Sequence, residues 1–309
     1  MSSPHFSVIV PMFNAAASLA SSLSSVLDQA DRDFEVIIVD DGSTDNSLAV
    51  ALAMASGDDR IRVVSQDNAG PAAARNLGID LARGALLAFL DADDIWHPEK
   101  LACHRDFHLA RPDAGVSYAR IAFLEADRAA GTAARTESRV LAGPLTVLQL
   151  IAENPVCTTS NIVVTRGCVA AVGGFRAGMG HAEDQEWLAR VAATGFAVCG
   201  IDRLLVEYRM SPGGLSSNLR RMYRGWRRLA HQHRASIDVR AAEAVYCRYL
   251  ARRALRSGGP AIEALHYAVR GMRRDASAFL ADRRRGGLTL AGAVFGLVLP
   301  AATRARLFA

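Results

Sequence analysis

Three short acidic strings in this chain carry side chains that could hold a cation or move a proton. Asp40-Asp41-Gly42-Ser43-Thr44-Asp45 follows one apolar run, Asp91-Ala92-Asp93-Asp94 follows another, and Glu183-Asp184, with Glu186 nearby, follows the glycine-rich stretch Gly173 to Gly180. Mg²⁺ and Mn²⁺ take hard oxygen ligands and commonly complete their shell with phosphate oxygens. If the backbone is extended at Asp91-Ala92-Asp93, both carboxylates point to one side. Asp93 is then a candidate metal ligand, and Asp91 a candidate for a ribose hydroxyl or a second coordination position. Aspartates so placed also cap helix N-termini, and Asp-Gly-Ser-Thr-Asp is ordinary turn chemistry. Neither string decides between these readings by itself. A carboxylate at a helix start beside a flexible segment, as at Asp184, suits a general base, although an acidic pair can open a helix without doing chemistry. Arg75, in Ala73-Ala74-Arg75-Asn76, could contact a nucleotide, and Arg209 a phosphate; both could equally be exposed.

The elements that must position these groups can be read from periodicity. Phe6 to Val10, Phe34 to Val39, Ile61 to Val64 and Ala85 to Leu90 are short apolar runs without alternation. They are separated by helical stretches at Ala15 to Leu27, Asn46 to Ser56 and Pro71 to Arg83, with Thr44 or Asp45 as N-cap of the second and Gly84 at the C′ position of the third. Such an order predicts an α/β fold with a mostly parallel sheet covered by helices on both faces. In such sheets ligands bind beyond the carboxyl ends of the strands, and two of the acidic strings fall at that edge. Downstream, the pattern predicts a helix opened by Pro98, a strand from Gly115 to Leu124, a polar loop from Asp127 to Arg139 and a helix from Pro144 to Ala152. It continues with a strand from Ser160 to Thr165, a helix from Glu183 to about Thr194, and closing strands at Phe196 to Gly200 and Leu204 to Tyr208. From about Arg220 onward the chain reads as helical.

Half of the 309 residues are apolar, enough for one substantial domain with a smaller appendage. The net charge of +5 conceals an asymmetry: Arg220 to Arg285 holds 17 arginines and five acidic residues, while the remainder is net acidic. A basic tail of this kind could meet nucleic acid, anionic lipid or a phosphorylated acceptor, or be a solvated helical face. It lacks the interleaved aromatics of a nucleic-acid surface, so no nucleic-acid partner is expected. Five scattered cysteines without a CxxC pair give neither a disulfide framework nor a zinc site, which fits a reducing, cytoplasmic compartment. No basic, apolar leader opens the chain. Leu288 to Ala302 is apolar but short of the ~20 residues of a membrane span, so it is a core helix or an interfacial anchor. The Arg-rich stretch followed by this segment is compatible with peripheral contact at the inner face of a membrane.

Taken in order, the strings resemble glycosyltransferase family 2, the inverting family with the GT-A fold. The resemblance is carried by Phe6-Ser7-Val8-Ile9-Val10-Pro11-Met12-Phe13-Asn14, Val39-Asp40-Asp41-Gly42-Ser43-Thr44-Asp45, Asn68-Ala69-Gly70-Pro71-Ala72-Ala73-Ala74-Arg75-Asn76-Leu77-Gly78, Phe89-Leu90-Asp91-Ala92-Asp93-Asp94, Glu183-Asp184 and Tyr208-Arg209. Each is unspecific, but the set in sequence is not. It covers roughly residues 6 to 216 and implies a GT-A, Rossmann-like domain at 1–217 with an Arg-rich helical region at 218–309. It further implies that Pro11, Phe13 and Asp41 surround the nucleobase and ribose with Arg75 near the base, that Asp91 and Asp93 form the family's DxD with Asp93 on Mn²⁺ or Mg²⁺, and that Asp184 is the acceptor-side base. The implied partners are a nucleoside-diphosphate sugar, with UDP favoured, and a glycan, lipid-linked or protein acceptor in polysaccharide or glycoconjugate synthesis. Many relatives carry a histidine shortly after the Tyr-Arg pair; Met210-Ser211-Pro212-Gly213-Gly214 has none. A sugar nucleotidyltransferase would need a glycine-rich, basic loop after the first strand, which Pro11-Met12-Phe13-Asn14 does not offer. Against a catalytically silent nucleotide-sugar-binding module stand the intact Asp91, Asp93 and Asp184.

Overall fold

The structure, a computed structural model, describes residues 3–125, 136–179, 182–210, 218–256, 260–300 and 303. The chain divides into two units, Met1–Thr146 with Pro155–Gly214, and Val147–Asn154 with Leu215–Ala309.

In the first unit the four apolar runs become β1 (Phe6–Met12), β2 (Phe34–Asp40), β3 (Ile61–Ser65) and β4 (Leu86–Phe89), parallel to one another in the order β3-β2-β1-β4. Side chains such as Val8, Val10, Val36, Ile38 and Ala88 join Leu19, Leu23 and Val26 of helix α1 (Leu19–Leu27) in one core layer. Helix α2 (Ser47–Ala55) links β2 to β3. On the sheet, α3 (Pro71–Leu81) lies close against β1: a Cβ on Gly78 would sit 2.3 Å from Ile9 Cγ2. That approach matters for function, because Arg75 lies one helical turn before Gly78 and shares its face.

The sheet continues through β5 (Ile95–Trp96), β6 (Ala114–Glu125), β7 (Thr136–Glu137), β8 (Val163–Thr165) and β9 (Ala197–Met210), giving the path β3-β2-β1-β4-β8-β6-β9-β5 with β7 paired to β6. β8 is antiparallel to β4 and β6, whereas β6 and β9 are parallel. Helix α4 (Lys100–Ala110) follows β5, a short α5 (Val147–Glu153) precedes β8, and α6 (Arg166–Val172) and α7 (Glu183–Ala193) lie between β8 and β9. This is an α/β architecture, a mostly parallel sheet with helices followed by a helical region, as the GT-A resemblance implies.

Several local expectations change. β1 runs through Pro11 to Met12, in register with Val39 and Asp40 of β2, rather than ending at the proline. The two closing strands are one continuous β9. The strand expected from Ser160 begins at Val163, because Thr159–Asn161 forms a 3₁₀ turn whose side chains are held by distant partners. The N-cap of α2 is Asn46 without a side-chain bond; Asp45 Oδ1 instead accepts the Ser47 N–H at 2.9 Å. Gly84 does not close α3 in a left-handed conformation: the helix stops at Leu81, and Gly84 is required because its Cβ would lie 2.5 Å from Ser7 N on β1. Most of the expected loop at Asp127 to Arg139 lies outside the described residues, and so do Gly180 of the glycine-rich stretch and Ser211–Gly214.

The second unit is built from α5, α8 (Leu219–Gln232), α9 (Val239–Arg256), α10 (Ala261–Arg274), α11 (Ala276–Phe279) and α12 (Arg283–Phe295). α5 belongs here because Trp226 Nε1 donates to Ile151 O at 2.8 Å and Arg248 pairs with Glu153 at 3.0 Å. Trp226 stacks on Tyr246 with ring centroids 4.9 Å apart. Among the described residues no helix is long and apolar enough to cross a membrane.

Candidate active site

The carboxyl ends of β1, β2 and β4 carry the first groups of residues. Past β1, Asn14 takes a positive φ of 49° and its Oδ1 accepts from Thr44 N at 2.8 Å and Asp45 N at 3.3 Å. Ala15 N donates to Ser47 Oγ at 2.7 Å. These bonds fasten the β1 and β2 end loops together, so Pro11 (half-buried) and Phe13 stand beside the aspartate turn. Phe13 is 49% exposed, a large aromatic ring presented to solvent at this rim. Asp41 N donates to Met12 O at 2.8 Å, and its buried carboxylate accepts from Gln66 Nε2 at 2.7 Å, Ala69 N at 2.9 Å and Gly70 N at 2.8 Å. Asp41 therefore fixes the loop that leads into α3, where Gly70 has φ +89° and Pro71 opens the helix.

On α3, Arg75 is buried and bridges two acidic strings. Its Nη2 donates to Asp91 Oδ1 at 2.8 Å and its Nη1 to Glu183 Oε1 at 3.1 Å, while its guanidinium lies over the Phe175 ring. Its Nε is buried without a hydrogen-bond partner. Charge and hydrogen bonds from Asp91 and Glu183 outweigh desolvation and raise its pKa. The arginine thus joins the end of β4 to the start of α7, 108 residues apart in sequence for the Glu183 bond.

The string after β4 is a turn and not an extended strand: Asp94 N donates to Asp91 O at 3.1 Å. The extended backbone expected at Asp91-Ala92-Asp93 therefore gives way to a turn carrying three carboxylates, of which Asp91 and Asp94 both lie near the Thr158 hydroxyl. Asp91 also accepts from Thr159 Oγ1 at 3.0 Å and Thr158 Oγ1 at 3.3 Å. Asp94 is fully buried; Ser160 Oγ lies 2.5 Å from its Oδ2, and Arg209 N donates to its Oδ1 at 3.2 Å. Desolvation, then the charges of Asp93 and Asp91, push the Asp94 pKa well up. Asp93 is half-buried at the same turn. Arg209 reaches Ser21 Oγ at 2.9 Å, next to this acid turn.

Asp184 lies in the first turn of α7 behind Ala182, which holds a left-handed φ of 63° with no side-chain cap bond. A non-glycine residue in that region is strained and common at functional sites. Desolvation and then the neighbouring Glu183 charge push the Asp184 pKa up to about 7, against the Arg75 charge, with Asp91 adding to the rise. Asp184 is thus within electrostatic reach of both Arg75 and Asp91. Glu186, by contrast, is fully buried and clamped by Arg190 at 3.1 Å and Arg176 at 3.2 Å, a structural role.

The structure brings Arg75, Asp91 and Asp184 within electrostatic reach of one another, places Asp93 beside Asp94 on the acid turn, and ties Asp41 to the loop that starts α3. Sequence reasoning missed Glu183 as the partner of Arg75, Asp94 as the buried member of the turn, and the Thr158–Asn161 hydroxyls and amide. The run Thr158-Thr159-Ser160-Asn161 between apolar stretches was a signal, since four small polar residues in a buried position need polar partners. Among the described residues no three His, Cys, Asp or Glu side chains are arranged to hold a metal by themselves. The turn fits a cation that shares ligands with phosphates: Asp91 and Asp93 are both half-buried there, and Asp91 is also bound by Arg75 and the threonines. A cavity of about 470 Å³ lined by Arg120, Glu137, Ser138, Arg139, Val140 and Asp202 lies at the β6–β7 edge, and none of the site acids lines it.

Beneath the turn runs a buried polar layer. Lys100 is fully buried, its Nζ donating to Asn161 O at 3.2 Å and sitting 3.1 Å from His104 Nε2. His104 Nδ1 and Ser117 Oγ share a hydrogen bond at 2.7 Å, and Ser117 lies 2.9 Å from His108 Nε2. Burial pushes the Lys100 pKa down to about 7 and that of His104 well below its ordinary value.

The sequence profile of glycosyl transferase family 2 matches residues 7–171. An uncharacterized glycosyltransferase of Rickettsia felis is 43% identical over 101 residues, covering 33% of this chain and 17% of that protein. The chain spans under half of the length of the curated relatives it matches. Among solved structures, S. aureus TarS 1–349 in complex with UDP-GlcNAc superposes with a TM-score of 0.61 at 20% identity, covering 93% of this chain and 90% of that one. The mannosyltransferase PcManGT from Pyrobaculum calidifontis, in complex with GDP-Man and Mn²⁺, gives 0.54 at 20% identity, covering 98% and 78%.

Proposed function

The chain belongs to glycosyl transferase family 2, and from that premise we propose that it is an inverting, metal-dependent hexosyltransferase. Residues 1–217 form the catalytic domain in this reading and 218–309 the Arg-rich helical region. The donor is a nucleoside-diphosphate sugar, with UDP favoured. The acceptor is a hydroxyl of a glycan, lipid-linked or protein substrate in surface polysaccharide or glycoconjugate synthesis. UDP-GlcNAc on TarS and GDP-Man with Mn²⁺ on PcManGT support a donor of this class.

One observation carries the proposal: Arg75 ties the acid turn after β4 to the helix start that holds Asp184, a buried carboxyl whose pKa is pushed up to about 7. Pro11 and the exposed Phe13 ring flank the base. Asp41 fixes the 66–70 loop beside the base and ribose, leaving little of its own carboxylate for the ligand. Arg75 holds Asp91 in a fixed orientation toward the ribose and offers an unpartnered Nε–H within the same group. A divalent cation, when bound, would neutralise the charge that builds on the departing diphosphate, and Asp93, with Asp91 beside it, would hold it together with the phosphates.

In the transfer itself, Asp184 takes the proton of the acceptor hydroxyl as its oxygen attacks the anomeric carbon. The new C–O bond forms as the bond to the β-phosphate oxygen breaks, and that electron pair leaves with the nucleoside diphosphate. A base with a pKa near 7 is matched to this task. Attack from the face opposite the leaving group inverts the anomeric centre and needs one protein base, in agreement with a single Asp184.

The test is a thermal-shift panel of UDP, dTDP and GDP and their sugars, with and without Mn²⁺. UDP or a UDP-sugar should stabilise the protein in a metal-dependent way, by about 2.7 kcal/mol at a hundredfold excess over Kd. Indifference to every nucleotide would overturn the proposal.

A further inference from the structure

Helix α12 is built inside out. An amphipathic helix of a globular unit turns its large apolar side chains toward the core, yet here the packed face is Gly286, Thr289, Gly292 and Ala293, all buried. The smallness is required: a Cβ on Gly286 would lie 2.6 Å from Phe279 O, so the α12 backbone rests directly on α11. α12 also packs against α9 and α10. The opposite face carries the large residues. Leu288 is 62% exposed, Val294 49%, Phe295 62% and Val298 79%. With Arg284, Gly287 and Ala291 they fall at helical spacings of three and four, forming one outward stripe. The helical path carries the stripe past Phe295, since Gly296 N donates to Gly292 O at 2.8 Å and Val298 N to Phe295 O at 3.1 Å.

The charge at the start of this helix is one-sided. Arg283 and Arg284 are exposed. Arg252 is pushed toward its neutral form by burial and then by the positive charges of Arg256, Arg285 and Arg248, with Glu153 the opposing acid. Asp282, which caps α12 and pairs with Arg285 at 3.4 Å, is the other acid there. After Asp282 the sequence has five arginines and no acidic residue. A second copy packed face to face would bring the same surface, in which arginines outnumber acids, whereas an anionic bilayer supplies both an apolar layer and the opposite charge.

We propose that α12 is a membrane-surface anchor: Leu288, Val294, Phe295 and Val298 enter the acyl boundary of an anionic leaflet while the arginines at the helix start hold lipid phosphates. At 13 residues the helix spans roughly 20 Å, too short to cross a bilayer but suited to lying in its interface. The anchor is independent of the sugar-transfer reading, since none of its residues belongs to the acid site.

Co-sedimentation of the full chain with vesicles of phosphatidylcholine alone, or with 30 mol% phosphatidylglycerol (about that fraction, chosen for surface charge), tests the anchor. The protein should bind the anionic vesicles at least about tenfold more strongly, with binding weakened by salt. Phe295→Ser with Val298→Ser should weaken binding at least about tenfold without lowering the thermal midpoint. Arg283→Gln with Arg284→Gln should remove most of the salt dependence. Equal binding to neutral vesicles, no binding to anionic ones, or unchanged binding by the serine variant would overturn the proposal. So would a dimer in light scattering that the serine variant abolishes while vesicle binding stays absent. Nucleotide-induced thermal shifts, measured on the same variants, separate failure of the anchor from failure of the donor site.

Discussion

In the sheet unit, the side chains that stand at the rim are held from several directions. Asp91 receives an arginine from α3 and two threonine hydroxyls from the 3₁₀ turn, and Asp41 receives three N–H groups from the following loop. In the helical unit, the outward residues of α12 sit on a packed face of glycine, alanine and threonine. The first region pre-organises polar groups, so that little reorganisation is needed when charge develops during a reaction. The second presents apolar area whose removal costs the fold little. One region resists substitution because it is over-determined, and the other tolerates it because its outward side chains are exposed.

That contrast can be broken or sharpened by substitution. The largest effect is expected at Asp184: Asp184→Asn should lower donor turnover, read as nucleoside diphosphate release, by about 10²–10⁴-fold while donor affinity stays. The same carboxyl sets a pH limb. Its pKa is pushed up to about 7, so it is protonated below that value; turnover should rise with pH through about 7 and level off above, and the limb should vanish in the asparagine variant.

Next comes Arg75→Met. Removing a buried cation that serves two carboxylates leaves both without their cationic partner, and the variant should lose about 3–5 kcal/mol in chemical denaturation. Gly84→Ala should cost about 1–3 kcal/mol because its Cβ meets the β1 backbone. If Arg75→Met proved as stable as the parent, the claim that this rim is over-determined would fail.

Lys100 gives a further effect through pH. Its pKa is lowered from 10.5 to about 7 by burial, so between these values the unfolded chain binds the extra proton. Stability from this group therefore rises with pH from about 7 to about 10 and is lost as pH falls toward 7. Lys100→Met should flatten the rise of thermal midpoint over that window relative to the parent chain. The smallest effect is expected on α12, where Phe295→Ser should change stability by no more than about 0.5 kcal/mol.

Much of the sheet was legible in the sequence because buried parallel strands read as uninterrupted apolar runs, and β2, β3 and β4 start and stop within a residue or two of those runs. The GT-A reading rests on the family resemblance carried by the ordered motifs, and the fold of the solved glycosyltransferases bears it out. Contacts between residues far apart in sequence were not legible. Asp94 looks like one more acidic turn residue until Ser160, 66 positions later, is found on its carboxyl. Gly84 reads as a helix terminator, but it is needed for the close pass of the chain over Ser7. In α12 the apolar residues were visible as a block, whereas which face they take depends on the small residues that let the helix lie flat on α11. The roles of Pro11, Phe13, Asp41, Arg75, Asp91, Asp93 and Asp184 rest on the family resemblance and on the proposal built from this geometry.

The most direct measurement is calorimetric titration of UDP-GlcNAc and UDP into the parent chain, Asp93→Asn and Asp184→Asn, each with and without Mn²⁺. Metal-dependent binding is expected for the parent chain, with its loss in Asp93→Asn and its retention in Asp184→Asn. Binding to Asp93→Asn as tight and as metal-dependent as to the parent chain would contradict that expectation.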